Sequence, residues 1–281
     1  MNQIIVGMDG SAGGRSALAW ALHLAGDVHA DILALTAFSA QQSEMPPGLL
    51  AQMRADRVDE LASWCGGSLQ GAPLLRLQVV DGDPREVLMD AASTDPSDMI
   101  VVGRQGARGA EPGFLHTGSV VEYLCHHAEV PLAIVPTGAP AKIERLVVAL
   151  DGSSPSDAMC DWLSRFASQI NAAVFAVGVE QTPFLELSTG TAEARQGLEF
   201  LIRDRWAKAL GDEGVPFVAI GKRNAHPVDA LLNVCRDEHA DLLVAGLRGG
   251  GGFRGLRLGG VAIGLVHEAH LPLLLVPPTP A

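Results

Sequence analysis

Leu242-Leu-Val-Ala-Gly246-Leu-Arg-Gly249, followed by Gly259-Gly260, is the stretch on which the reading of this chain turns. Leu242 to Ala245 form an uninterrupted apolar run, the mark of a strand buried on both faces. Nine residues separate Gly249 from Gly259, and the spacing of Val261, Ile263, Leu265 and Val266 then predicts a helix. A glycine-rich loop thus joins a strand end to a helix start. Glycine lets backbone approach a ligand closely, and the free N–H groups of a helix N-terminus favour anionic oxygens, so the expected guest is a phosphate. An echo lies upstream, where Met99 to Val102 lead into Gly103-Arg-Gln-Gly106, then Gly118-Ser119 and another apolar helical pattern.

The echo belongs to a duplication. The chain has only four tryptophans, and Trp20 stands 142 residues before Trp162, as Trp64 does before Trp206. The same offset relates Asp9-Gly10-Ser11 to Asp151-Gly152-Ser153. It grows by one residue before Pro227 and shrinks by two within the glycine loop, so that Gly118 answers to Gly259. Pro136-Thr-Gly-Ala-Pro140 marks the join, which predicts domains at 1–138 and 139–281.

Each copy reads as five strands alternating with helices. In the first copy the strands are predicted over Gln3 to Met8, Asp31 to Phe38, Leu74 to Val80, Asp98 to Gly103 and Leu132 to Val135. The helices are predicted over Ser16 to Ala25, Leu49 to Trp64, Pro84 to Ala92 and Val120 to His127. Runs of Val, Ile and Leu with little alternation imply a parallel sheet covered on both faces, and right-handed crossovers make it doubly wound. The expected fold is therefore α/β, two tandem five-stranded parallel sheets of Rossmann-like or flavodoxin-like type, each with strand order 3-2-1-4-5. Ser11 and Ser153 are candidate N-caps.

Lys and Arg total 20 against 32 Asp and Glu, a net charge of −12, which argues against nucleic-acid and acidic-membrane partners. The start has no signal-peptide pattern and no apolar stretch is long enough to span a bilayer, so a soluble, cytoplasmic protein is expected. Cys65, Cys125, Cys160 and Cys235 form no CxxC pair and read as buried thiols.

In open parallel sheets ligands bind beyond the carboxyl ends of the strands, where the winding direction reverses. Asp9 follows strand one and Gly103 closes strand four, so this strand order sets the carboxylate beside the phosphate loop. A nucleotide suits that pairing: a carboxylate accepts from hydroxyl or amino groups, and backbone N–H groups donate to phosphates. Arg104 and Arg108, with Arg248, Arg254 and Arg257 in the second copy, supply countercharge on this reading. Asp-Gly-Ser is also ordinary turn chemistry; its recurrence beside a recurring glycine loop favours ligand contact.

Val6-Gly-Met-Asp9-Gly-Ser11, the pattern G-x2-G-x9-G-[ST] before the last helix, and Val130-Pro131 opening a final strand together resemble the universal stress protein family, here in tandem form. The resemblance implies ATP with Mg²⁺ as ligand. It implies nucleoside contact by the Asp after strand one, an adenine site lined by the residue at the end of strand two, and phosphates held by the glycine loop. Those positions are Asp9, Ala37, Gly103, Gly106, Gly118 and Ser119 in the first copy. In the second they are Asp151, Val179, Gly246, Gly249, Gly259 and Gly260. It further implies a cytoplasmic regulator of stress response or growth, a homo-oligomer whose final strands, Val130 to Pro136 and Leu271 to Pro277, are candidates for pairing domains.

Each copy departs from the pattern once. The first has eleven residues between Gly106 and Gly118, including Glu111 and Pro112; the second has Gly260 where a hydroxyl is expected. A missing hydroxyl costs about 0.5–1.5 kcal/mol, less than a resized loop, which favours the second site. No GxxxxGK[ST] segment exists, and Gly250-Gly-Gly252-Phe-Arg-Gly255 satisfies G-x-G-x-x-G only because the loop is so rich in glycine. His267-Glu-Ala-His270 is not HExxH, and Cys125-His126-His127 reads as a helix end. No Lys lies in the loop and nothing near it makes a convincing nucleophile or general base, so an enzyme is not expected and any ATP cleavage is slow. The alternative is a nucleotide-free interaction or dimerisation scaffold of the same fold.

Overall fold

A computed structural model of the chain describes residues 1–38, 46–65, 74–92, 95, 98–106, 118–151, 154–180, 217–223, 226–247 and 258–278. The chain divides into two compact units, Met1–Lys142 and Ile143–Ala281. In the first, β1 (Gln3–Gly7), β2 (Asp31–Phe38), β3 (Leu75–Asp81), β4 (Met99–Gly103) and β5 (Leu132–Val135) alternate with α1 (Ala12–Val28), α2 (Pro47–Cys65), α3 (Pro84–Ala92) and α4 (Ser119–His127). The strands run parallel in the order β3-β2-β1-β4-β5.

The second unit repeats the plan. Its strands are β6 (Arg145–Leu150), β7 (Ala173–Glu180), β8 (Phe217–Arg223), β9 (Leu242–Gly246) and β10 (Leu273–Val276). Its described helices are α5 (Ser154–Ile170), α6 (Pro227–Asp237) and α7 (Gly260–Glu268). The order is β8-β7-β6-β9-β10, again parallel.

The physical reason for this sheet is visible in β1. Ile4, Ile5 and Val6 point alternately to opposite faces, yet all three are fully buried, so both faces are covered. On one face α1 packs against β1 and β4; α3 packs against β1, β2 and its neighbour α4. Trp20 of α1 is fully buried in this core. In the second unit Val147, Val148, Leu243 and Val244 are likewise fully buried. Cys125, Cys160 and Cys235 are buried and outside any disulfide, and burial pushes the Cys125 and Cys235 thiols up to about 12, which keeps them protonated.

One boundary differs from expectation for a structural reason. The first helix starts at Ala12, ahead of the expected Ser16, because Ser11 caps it: Ser11 Oγ accepts from Gly14 N at 3.0 Å. Gly13-Gly14 looks like loop in sequence but forms the first turn of α1. No helix among the described residues is long and apolar enough to cross a membrane.

Candidate functional site at the carboxyl ends of the central strands

The end of β1 is anchored to β2 before the site begins. Met8 N donates to Leu35 O at 2.8 Å, and the buried Thr36 hydroxyl donates back to Met8 O at 2.9 Å. Asp9 therefore leaves the sheet from a fixed point. Its Oδ1 accepts from Ser11 N at 3.0 Å, and Gly10 between them has φ +86°, a left-handed conformation that glycine adopts without strain. So the turn chemistry foreseen for Asp-Gly-Ser is present. It occupies one carboxylate oxygen.

The other oxygen faces the glycine loop. A Cβ added to Gly106 would stand 2.6 Å from Asp9 Oδ2, so a side chain at Gly106 would collide with the carboxylate. Gly103 makes that approach possible from below: its hypothetical Cβ would lie 2.5 Å from the Gly13 carbonyl carbon. One on Gly13 would lie 2.2 Å from Gln105 O. Two stretches of bare backbone, the first turn of α1 and the loop after β4, are pressed together where no Cβ fits. The sequence placed Gly103 and Gly106 here; Gly13, which completes the seam, it did not.

The loop closes onto α4. Gly118 N donates to Arg104 O at 3.3 Å, and Gly118 is an N-cap without a side-chain cap bond. Ser119, the first helical residue, is exposed. The first-turn N–H groups of α4 thus have no side chain bound over them from the cap, as an anion-binding helix start requires. Ala37 is half-buried. Continuing the Gly7↔Leu35 register of β1 and β2 sets it level with Asp9.

The second unit repeats these relations where it is described. Asp151 is exposed after β6, and the Leu150↔Gly178 register sets half-buried Val179 level with it. Gly246 ends β9 and pairs with Val276 of β10. Gly259 N donates to Leu247 O at 2.9 Å and is the uncapped N-cap of α7. A Cβ on Gly260 would meet nothing within 4 Å, so the missing hydroxyl reflects residue choice rather than lack of room. Gly249, with Arg248, Arg254 and Arg257, lies outside the described residues, as do Arg108, Glu111 and Pro112 of the first loop.

Two cationic groups of the first unit stand close to this site. Arg104 is 8% exposed, and burial lowers its guanidinium from the usual value; Leu247, also buried, fills the equivalent place in the second unit. Arg57, within the helix predicted over Leu49 to Trp64, reaches from α2 to the Asp9 turn. A Cβ on Gly10 would stand 2.3 Å from its Nη1, and the same nitrogen donates to Glu60 at 2.8 Å. No local pattern in the sequence signals this contact. Among the described residues no group of three or more His, Cys, Asp or Glu could hold a metal ion, and His127 is a helix-end residue stacked on Tyr123 with 4.0 Å between ring centroids.

The chain matches the universal stress protein family over residues 1–136 and again over 142–277. It is similar to universal stress protein Rv2623 of Mycobacterium tuberculosis, with 29% identity over 304 residues covering 97% of this chain and 95% of that protein. A universal stress protein of Mycolicibacterium smegmatis is 24% identical, covering 98% and 97%. Among solved structures, a universal stress protein from Archaeoglobus fulgidus shares the fold with a TM-score of 0.70 at 17% identity, covering 98% of each chain.

Proposed function

The chain belongs to the universal stress protein family, one domain in each half, and from that premise we propose that it binds ATP with Mg²⁺ in the crevice of each unit. The observation that carries this reading is the approach of Asp9 Oδ2 to Gly106 across the ends of β1 and β4, beside the uncapped start of α4. Asp9 and Asp151 would accept from ribose hydroxyls, Ala37 and Val179 would line the base, and the loop N–H groups with Ser119 would hold phosphates. Mg²⁺ would be held mainly by phosphate oxygens and water, the usual arrangement for this ion.

Binding, not turnover, is the activity on this reading, in which Asp9 and Asp151 hold the nucleoside rather than act on the phosphates. Nucleotide would shift the loops between states and so regulate, in the cytoplasm, an interaction with a partner protein or a second copy of this chain. That shift requires different affinity for the two states. Equilibrium dialysis with labelled ATP and Mg²⁺ tests the proposal. Two nucleotides per chain, falling to one in Asp9→Ala or Asp151→Ala and to none in the double variant, would support it. No binding by the parent protein would leave the nucleotide-free scaffold, which the engagement of Asp9 Oδ1 in its own turn favours.

A further inference from the structure

Helix α2 brings two guanidinium groups to the carboxyl ends of the strands in the first unit. Arg54 and Arg57 stand three residues apart, so both project from one face of the helix. Arg54 Nη2 pairs with the carboxylate of Asp81, the last residue of β3. Arg57 reaches to Gly10, beyond the end of β1. Near its own end α2 is tied to α1, where the Arg15 guanidinium lies 5.1 Å from the centroid of the Trp64 ring.

The strand order fixes what stands between these two arginines, because β2 lies between β1 and β3. Phe38 pairs with Asp81 and Ala37 with Val80, and the β1–β2 register sets Ala37 level with Asp9. A row therefore runs from the Arg57 contact at β1, across half-buried Ala37 near the end of β2, to the Arg54–Asp81 pair at β3. The glycine loop follows β4, on the other side of β1. Arg57 thus enters the crevice from the nucleoside side and not from the phosphate side. Its Nη1 donates to Glu60 at 2.8 Å, which fixes the direction of the guanidinium, and 28% of the side chain is exposed. A guanidinium is flat and weakly hydrated, so it stacks on an aromatic ring as a lysine ammonium cannot.

We propose that Arg57 is a base-contacting residue of the first site, its guanidinium plane stacked on an adenine that lies over Ala37. The inference rests on the nucleotide reading of that crevice and adds to it the residue that selects for an aromatic base. Asp9 takes the ribose, Ala37 floors the base and Arg57 covers it, while Arg54, bound to Asp81, closes the far end of the row. The duplication sets this site apart. At the 142-residue offset that pairs Trp64 with Trp206, Arg54 and Arg57 answer to Gln196 and Glu199. The second copy has an arginine at neither position, so the proposal is confined to the first site.

Isothermal titration with ATP and with adenosine, both in Mg²⁺, tests this on the full chain carrying Asp151→Ala, in which the first site reports alone. Arg57→Ala should weaken both ligands by the same factor, about fivefold. Arg57→Lys should lose as much, since it keeps the charge without the plane. The ligand-free melting temperature should stay the same in both variants, as expected of a residue that acts on the ligand and not on the fold. A loss confined to ATP or rescued by lysine would put Arg57 on the phosphates and overturn the proposal. So would unchanged affinity in both variants, or a loss that tracks a lower ligand-free melting temperature. Failure of the Asp151→Ala protein itself to bind ATP would defeat the nucleotide reading of the crevice, and this inference with it.

Discussion

Asp98 and Asp241 occupy one position in two copies of one fold, and their surroundings oppose each other. Asp241 receives two backbone N–H groups beside an Arg145–Glu238 ion pair. Asp98 is buried beside Asp95 with one oxygen unpartnered, and burial, reinforced by the Asp95 charge, pushes its carboxyl up to about 6. The glycine loops diverge in the same manner: Arg104 against Leu247 at the base, Ser119 against Gly260 at the helix start. A duplicated scaffold keeps the backbone relations that define strand order and loop closure. Side chains at matching points differ, as Arg104 and Leu247 or Ser119 and Gly260 do.

The largest expected effect tests the shared backbone seam. Gly103→Ala drives a Cβ into the Gly13 backbone and should destabilise the first unit by about 2–3 kcal/mol in urea unfolding. A neutral outcome would mean that the first turn of α1 is not held against the loop. Next, Asp98→Asn and Asp241→Asn should move stability in opposite directions at pH 7.5. The folded-state pKa of Asp98 is raised, so its stabilising contribution is full below about 4, the unfolded value, and is lost as pH rises through about 6. Asparagine imitates the neutral acid: Asp98→Asn should stabilise by about 1–2 kcal/mol at pH 7.5, with the gain fading below pH 6. Asp241→Asn should instead cost about 1 kcal/mol, because its two backbone bonds lose their charge assistance.

Smaller effects sharpen the site comparison. Ser11→Ala removes the cap on Gly14 N and should cost about 1 kcal/mol, loosening the Asp9 turn with it. Gly260→Ser places a hydroxyl in open space and should tighten ATP binding at the second site by about 2- to 12-fold, the equivalent of one net hydrogen bond. Dialysis in an Asp9→Ala background isolates that change.

Most of the fold was legible because it rests on patterns that repeat. Consecutive apolar residues such as Ile4 to Val6 announce a doubly covered strand, and four tryptophans at one offset announce the duplication. The start of α1 was not, since Gly13-Gly14 has poor helix propensity, and its place depends on the close approach of Gly13 to Gly103 and of Gly14 to Asp9. At the candidate site, strand order alone brings Asp9 beside Gly103 and Gly106, so their meeting could be read in advance. The reach of Arg57 to Gly10 could not, because it depends on how α2 lies, and its own segment looks like any solvated helix face. Nor could the difference between Asp98 and Asp241, whose backbone partners, Gln3 in one case and Glu144 with Arg145 in the other, lie far away in sequence.

Thermal unfolding of the parent chain with and without excess ATP and Mg²⁺ bears most directly on the central claim that the paired crevices bind nucleotide. At about 100 times the dissociation constant, one bound ligand adds roughly 2.7 kcal/mol to native stability. The account predicts a rise in melting temperature that halves when Asp9 or Asp151 alone is changed to Ala and disappears when both are. An unchanged melting temperature in the parent, or a shift that survives the double substitution, would contradict it.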